Sequence, residues 1–274
     1  MPYTISHAAV VLPFSRLLSR WRLLSAAVIG AMVPDFGLFF PWRVPRFETH
    51  SVLALFTFCL PVGLATYWIF QYLIKTPMLE VLPDGAYARW HPHSSPAAIA
   101  SVRQWILAAC GVLGGAVTHL VWDAFTHENA RGVRMIPWLE EPMVDIGNHH
   151  MGGIRLMQDA SSLFGLAAVL GMVWYGLRRG RESAIPGRPL RPAERRLWVL
   201  AYVVAAVALS VAWSIWARVG EPPAHSYKAL ATGIAVAALR GLATALLCTS
   251  LALDWRLRAL RSSSARATPQ ALGS

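Results

Sequence analysis

Five stretches of the chain, residues 51–75, 104–125, 156–177, 197–217 and 229–254, are predominantly apolar. At 1.5 Å of rise per residue, a helix of about 20 residues crosses the roughly 30 Å of hydrocarbon in a bilayer. The pattern predicts five membrane-spanning helices. Two shorter apolar stretches, 7–18 and 23–40, precede them and are separated by Arg20-Trp21-Arg22. Neither spans by itself; together they predict a helical hairpin with its basic turn at one membrane face. The expected fold class is all-α, a multi-spanning helical membrane bundle. Composition agrees. Of 274 residues, 55% are hydrophobic and 14% charged, against about 25% charged in soluble domains. A water-soluble enzyme, a disordered chain and a collagen-like fibre are excluded.

The net charge of +11 comes from 25 Lys and Arg against 14 Asp and Glu. In a soluble domain such an excess suggests nucleic acid. Here the basic residues gather at the ends of apolar blocks, so the positive-inside rule accounts for them and no nucleic-acid partner is expected. The connection 178–196 holds Arg178, Arg179, Arg181, Arg188, Arg191, Arg195 and Arg196 against only Glu182 and Glu194, and the tail adds Arg256, Arg258, Arg261 and Arg266. Both are expected in the cytoplasm. Counting back through the spans puts 126–155 outside, 76–103 inside and 41–50 outside. The Arg16/Arg20/Arg22 turn then lies inside, with the N-terminus outside a bacterial inner membrane. The expected organisation is a membrane-embedded site region at 1–178, a basic cytoplasmic loop at 179–196, two C-terminal spans at 197–255 and a disordered basic tail at 256–274. No basic n-region precedes the first apolar stretch, so no signal peptide is expected. Cys59, Cys110 and Cys248 are isolated within apolar segments and read as small buried hydrophobes.

Ionisable side chains within apolar segments are expensive, and each is a functional candidate. The second of the five long stretches, 104–125, runs out through Thr118-His119-Leu120-Val121-Trp122-Asp123-Ala124-Phe125-Thr126-His127. His119, Asp123 and His127 stand at i, i+4 and i+8, stacked on one helix face. Three further residues reach the same outer level from elsewhere. His7 and Asp35 sit at similar distances either side of the basic turn, Asp35 directly after the helix-breaking Pro34, and His50 lies at the start of the first long span. Imidazole and carboxylate are ligands for first-row metals. His/Asp ligation without Cys suits zinc best, one or two ions, with manganese or iron as alternatives. The competing reading is a hydrogen-bonded His–carboxylate network holding helices together.

These motifs also carry a family resemblance. Met1-Pro2-Tyr3-Thr4-Ile5-Ser6-His7, Val33-Pro34-Asp35, Thr49-His50-Ser51 and the 118–127 segment together resemble an uncharacterised family of bacterial integral membrane proteins. That family looks related to the membrane-bound metal-dependent hydrolases and, remotely, to zinc-dependent phospholipase C. The resemblance covers about residues 1–178. It implies His7, Asp35, His50, His119 and Asp123 as metal ligands, with His127 a further ligand or a supporting group. It also implies metal-assisted hydrolysis of a phosphoester or similar bond. Leu156-Met157-Gln158-Asp159 departs from the family pattern, which has His after the Gln. Asp159 is either a ligand or general base, alongside His127, or a carboxylate favoured by a helix N-terminus.

His149 and His150 fall in an outer loop, where they bind substrate, complete the coordination or are merely solvated. Arg240 lies mid-span and is expected to face the bundle, against a carboxylate or a substrate phosphate. The leading expectation is a metal-dependent hydrolase in the bilayer, acting on a phosphoester or lipid-linked substrate through metal-activated water. The alternative is a transporter or permease using the same residues. A transport path needs polar groups towards the inner side, and residues 105–117 carry no charge.

Overall fold

The computed structural model describes residues 4–42, 44–93, 101–127, 130–139, 141–146, 149–179, 187–218 and 227–267, with backbone alone at 93, 142–146, 149–151, 179, 227–229 and 264–267. All five predicted spans form: Leu55–Glu80, Val102–Thr126, Gly153–Arg178, Pro192–Trp216 and Leu230–Ser263 are each long and apolar enough to cross a bilayer. The chain is an integral membrane protein. It divides into two units, Met1–Tyr67 with Ala97–Arg179, and Trp68–Pro96 with Gly180–Ser274.

In the first unit the N-terminal hairpin forms as expected, though much of it is tighter than α-helix. A 3-10 helix, Thr4–Phe14, runs into α1 (Ser15–Arg20). The turn closes with Leu23 N–H donating to the Leu18 carbonyl at 2.8 Å and Arg22 N–H to Ser19 at 3.0 Å. This is the hydrogen-bond pair of a Schellman motif, with Arg22 at φ 58° in the left-handed position that glycine usually fills. The chain returns through α2 (Leu24–Met32). Pro34 has no N–H to continue the ladder, and the helix tightens into a 3-10 turn, Val33–Phe39. The next helix, α3 (Leu55–Glu80), holds two π turns, Leu55–Cys59 and Phe70–Ile74. Each precedes a proline, Pro61 or Pro77, whose missing donor disturbs the regular ladder.

A short helix α4 (Asp84–Trp90) belongs to the second unit. The central span α5 (Val102–Thr126) opens on a capping box in which Ser101 and Gln104 satisfy each other's backbone N–H groups. It packs tightly on α2 through glycines. A Cβ on Gly115 would lie 2.1 Å from the Ala27 carbonyl oxygen, and one on Gly30 would lie 2.2 Å from that of Val112. Gly111 and Gly115 form a G-x-x-x-G face that lets the two backbones touch. Val33, Leu55, Cys59 and Ala116 form a buried core beneath it. Of the cysteines expected to be buried, only Cys59 is; Cys110 and Cys248 are exposed on span surfaces.

After α6 (Arg131–Met135) comes the one departure from an all-helical fold among the described residues, an antiparallel pair β1 (Pro142–Ile146) and β2 (His149–Gly152). It leads into α7 (Gly153–Arg179). The Ser6 hydroxyl donates to the Ser162 carbonyl at 2.8 Å, tying the N-terminal 3-10 helix to α7.

The second unit pairs α8 (Pro192–Trp216) with α9 (Tyr227–Ala267). The Ser210 hydroxyl donates to the Ala238 carbonyl at 3.2 Å, and Trp213 Nε1 to Thr244 Oγ1 at 3.3 Å. The tail expected to be disordered from 256 instead continues α9 to Ala267. Leu257 is buried, and Arg258 pairs with Asp254 one turn earlier at 2.7 Å. Residues 268–274 and, within the expected 179–196 loop, residues 180–186 with Arg181 and Glu182 lie outside the described residues.

Beside α4 a partly buried ionic knot forms. Arg188 lies 3.7 Å from Glu80 and 2.8 Å from Asp84, its guanidinium 3.9 Å above the Tyr87 ring, and Arg195 reaches Asp84 at 2.6 Å. Hydrogen bonds from Arg195 and Arg188 hold the Asp84 carboxyl below the usual carboxylate range. Breaking a buried pair by removing one partner costs about 3–5 kcal/mol. Arg188→Ala leaves Glu80, which is only 5% exposed, without its ion-pair partner and with the Tyr87 hydroxyl as a neutral donor at 3.3 Å. Loss near the lower figure, about 3 kcal/mol, is expected in denaturant unfolding in detergent, because Asp84 is already open to solvent.

Candidate metal centre

The site is assembled from four segments of the first unit. In a 3-10 helix, residues three apart eclipse each other, so Thr4 and His7 share a face. Thr4 Oγ1 donates to Asp35 Oδ2 at 2.9 Å, and His7 Nε2 lies 3.7 Å from Asp123 Oδ1. The turn after Pro34 carries Asp35 inward. His50 stands ahead of the first π turn of α3, and His119 and Asp123 occupy one face of α5. His7, Asp35, His119 and Asp123 are each no more than 6% exposed. The five ligands implied by the resemblance therefore meet in one place.

The distances are close and consistent. His50 Nε2 lies 3.4 Å from Asp35 Oδ1 and 3.6 Å from Asp123 Oδ2; His119 Nε2 lies 3.7 Å and 3.5 Å from the same two atoms. The His7 and His119 rings stack at 3.8 Å between centroids, and His50 meets His119 edge-on at 5.3 Å. Asp123 divides its oxygens: Oδ2 faces His50 and His119, while Oδ1 faces His7 and His127, the latter at 3.5 Å.

Hydrogen bonds on the far sides of the rings determine which nitrogens face the centre. His119 Nδ1 lies 2.8 Å from the Ala31 carbonyl oxygen, which can only accept. Nδ1 therefore carries the proton, and in the neutral ring Nε2 presents a lone pair. His50 follows the same logic. The Thr49 hydroxyl donates to the Arg46 carbonyl at 3.2 Å, so it accepts from His50 Nδ1 at 2.6 Å. Two bare Nε2 atoms thus point at carboxylate oxygens across gaps longer than the 2.7–2.9 Å of a charge-assisted hydrogen bond. His50 Nε2, His119 Nε2, His127 Nε2, His7 Nδ1 and Asp123 Oδ1 are all buried without a hydrogen-bond partner.

Lone pairs facing lone pairs in a dry pocket call for a cation. Ligand atoms sharing one tetrahedral zinc at about 2.1 Å are about 3.4 Å apart, close to the separations seen. Two triads meet the spacing needed to hold an ion, His7/His119/Asp123 and Asp35/His50/His119. The backbone and hydroxyl partners of His119 and His50 are of the kind that orient metal-binding imidazoles. The residues fit a divalent cation with N/O ligands.

His127 differs from its expected place. The helix ends at Thr126, and His127 is its extended C-cap rather than a third helical position. The ring still turns back, with Nδ1 3.2 Å from the Asp123 carbonyl oxygen. Burial pulls its pKa below the ordinary value, against the attraction of Asp123.

Other sequence candidates fall elsewhere. Asp159 is not brought to the cluster: its side chain is 57% exposed and pairs with Arg155 on the surface of α7 at 3.3 Å. The reason is rotational. The preceding residue, Gln158, donates to the Thr126 carbonyl at the end of α5, and one residue further the helix has turned by about 100°. Arg240 belongs to the second unit, its guanidinium 5.3 Å from the Trp213 ring of α8. His149 and His150 lie on β2, opposite Ile146 and Asp145; their side chains lie outside the described residues.

Sequence reading missed Arg46, which donates to Asp123 Oδ2 at 2.6 Å while its side chain remains 42% exposed. It is one turn before His50 in a segment read only as an outer loop. Thr4 and Thr49 were missed as supports, although each lies within a quoted motif.

Residues 1–251 match the family described as "Domain of unknown function (DUF4184)", and the chain belongs to it. No curated protein and no solved structure matches the chain.

Proposed function

We propose that this member of the DUF4184 family is a membrane-embedded, metal-dependent hydrolase acting on a phosphoester presented from the lipid phase. The observation that carries the reading is the buried ring of bare imidazole nitrogens around two carboxylates, with His119 shared by both triads. His7, Asp35, His50, His119 and Asp123 would hold the ion, zinc being the cation best suited to the donor set. Such an ion supplies Lewis acidity and brings the pKa of water towards about 7. Only one nitrogen of His119 is open, the other being held by Ala31, which favours a single ion on that ring.

The remaining roles belong to the protein. Ala31 and Thr49 fix the two imidazoles, and Thr4 fixes Asp35. His127, with Nε2 buried and unpaired at the edge of the cluster, is placed to accept or return a proton. Arg46 offers a half-exposed guanidinium beside Asp123, suited by its planar fork to a phosphate. Support for a lipid-phase substrate comes from a cavity of about 630 Å³ lined by His7, Val10, Phe14, Trp122, Met157 and Phe164. Its lining is mainly apolar, with Ser6, His7 and Ser161 the polar members, and Phe14 and Phe164 within it are exposed apolar surface.

The test is metal analysis of protein purified in detergent, paired with hydrolysis of bis(p-nitrophenyl) phosphate. Stoichiometric zinc or a similar ion, with activity lost to a chelator and restored by the ion, supports the reading. Metal-dependent uptake into vesicles without hydrolysis contradicts it. Arg46→Gln adds a check on the substrate. A hydrogen bond to a charged group contributes about 1.5–3 kcal/mol, so KM for an anionic diester is expected to rise at least about tenfold with metal content retained. A neutral carboxylic ester would show no such rise.

A further inference from the structure

A second cavity, of about 270 Å³, lies at the other end of α5. Fifteen residues of helix separate Gln104 at that end from His119, or roughly 22 Å. Its lining includes Arg20, Trp21 and Arg22 of the hairpin turn, Tyr67 of α3, and Arg103 and Gln104 of the first turn of α5. Three arginines, from two segments some eighty residues apart in the chain, thus line one cavity.

No acidic residue is among those that line the cavity. In sequence, the eight acidic residues of this unit all fall within 35–48 or 123–159. Elsewhere, Glu80, Asp84, Glu194 and Asp254 are each taken by Arg188, Arg195, Arg256 and Arg258 respectively. Among the described residues, Arg20, Arg22 and Arg103 make no ion pair. Like charges gathered without a counter-charge repel one another, and an anion in the concavity relieves them.

Arg22 makes the same point from its backbone. It occupies a left-handed position, φ 58°, that favours glycine. Glycine would meet the requirement of the turn more easily; arginine instead puts a cationic residue in the cavity lining. The planar fork of arginine matches phosphate in geometry as well as charge. Trp21, half exposed, and Tyr67 are aromatics of the kind found at headgroup level, and basic pockets between membrane helices bind anionic headgroups.

We propose that this cavity is a binding site for a phosphate group, separate from the metal centre, filled by the headgroup of an anionic phospholipid or by a free phosphoester. Native mass spectrometry of detergent-purified protein titrated with phosphatidylglycerol or phosphatidylcholine tests it, with thermal unfolding in inorganic phosphate as a second arm. Wild type is expected to retain phosphatidylglycerol over phosphatidylcholine if the occupant is a headgroup. It is expected to show a phosphate-dependent rise in Tm without lipid selectivity if the occupant is a free phosphoester. Either response should weaken about tenfold in apparent affinity for each guanidinium removed, in Arg103→Gln and in Arg22→Gly. The second of these relieves the backbone and so should fold at least as well as wild type. Arg178→Gln with Arg179→Gln, outside the cavity, should leave binding unchanged. Equal binding by wild type and Arg22→Gly overturns the proposal, as does an equal loss in the Arg178/Arg179 variant, which would show diffuse charge rather than a site.

Discussion

His119→Ala is expected to release the divalent ion and abolish hydrolysis. His119 belongs to both ligand triads, and its one open nitrogen faces both carboxylates. Losing even an outer partner of a metal ligand costs about 10–100-fold in affinity or activity, so removal of this imidazole should cost more than about 100-fold. The substitution also leaves the Ala31 carbonyl unpaired and takes away the ring on which His7 stacks, so a fall in stability is expected with it. Asp123→Asn separates the two effects. It keeps the shape of the side chain but removes the charge that faces His7, His50, His119, His127 and Arg46. Metal content and phosphodiesterase activity should fall together, with the helical spectrum preserved. Asp159→Ala is the contrasting case. An exposed i, i+4 pair such as Arg155–Asp159 contributes about 0.3–0.5 kcal/mol, so this variant should keep its metal, its activity and nearly all its stability. Loss of metal in Asp159→Ala, or its retention in Asp123→Asn, would contradict the ligand assignment.

Adjacent glycines on α5 should behave in opposite ways. A Cβ on Gly115 would stand 2.1 Å from the Ala27 carbonyl oxygen and 2.5 Å from the Ala31 nitrogen, both backbone atoms that cannot step aside alone. Gly115→Ala therefore pushes α2 away from α5. That displacement draws the Ala31 carbonyl from His119 and carries Asp35, which follows α2 directly, out of reach of His50. Overpacking of this sort costs about 1–3 kcal/mol, and at this position the metal centre should loosen with it. Gly114 has nothing within 4 Å of the corresponding point. Gly114→Ala should be neutral or slightly stabilising, because alanine favours the helix by up to about 1 kcal/mol. Unfolding curves and metal content of the two variants form the comparison; identical behaviour would mean the α2–α5 contact does not position the site.

Much of this architecture is legible in the sequence because hydropathy and helical spacing are local properties. The five spans emerge from apolar runs alone, and His119 with Asp123 from i, i+4 spacing. The basic Arg20–Arg22 turn, flanked by apolar stretches, was enough to bring His7 and Asp35 back to one level. What stayed hidden depends on how backbones approach and where helices stop. Thr126 rather than His127 ends α5, because a C-cap is settled by tertiary surroundings rather than apolar period. Asp159 was attractive by position, but a rotation of one residue separates the face that meets α5 from the face that meets lipid or solvent. Arg46 lies in a loop whose path no periodicity encodes, and only the folded turn brings it to Asp123. The Gly111/Gly115 face carries meaning only once its partner helix is known.

The most direct measurement of the central claim is X-ray absorption at the metal edge on wild-type protein purified without added chelator. A bound divalent ion with nitrogen and oxygen neighbours at about 2.0–2.2 Å, imidazole scattering beyond them and no sulfur is expected. A sulfur shell near 2.3 Å, or protein free of metal and indifferent to its addition, would contradict that claim.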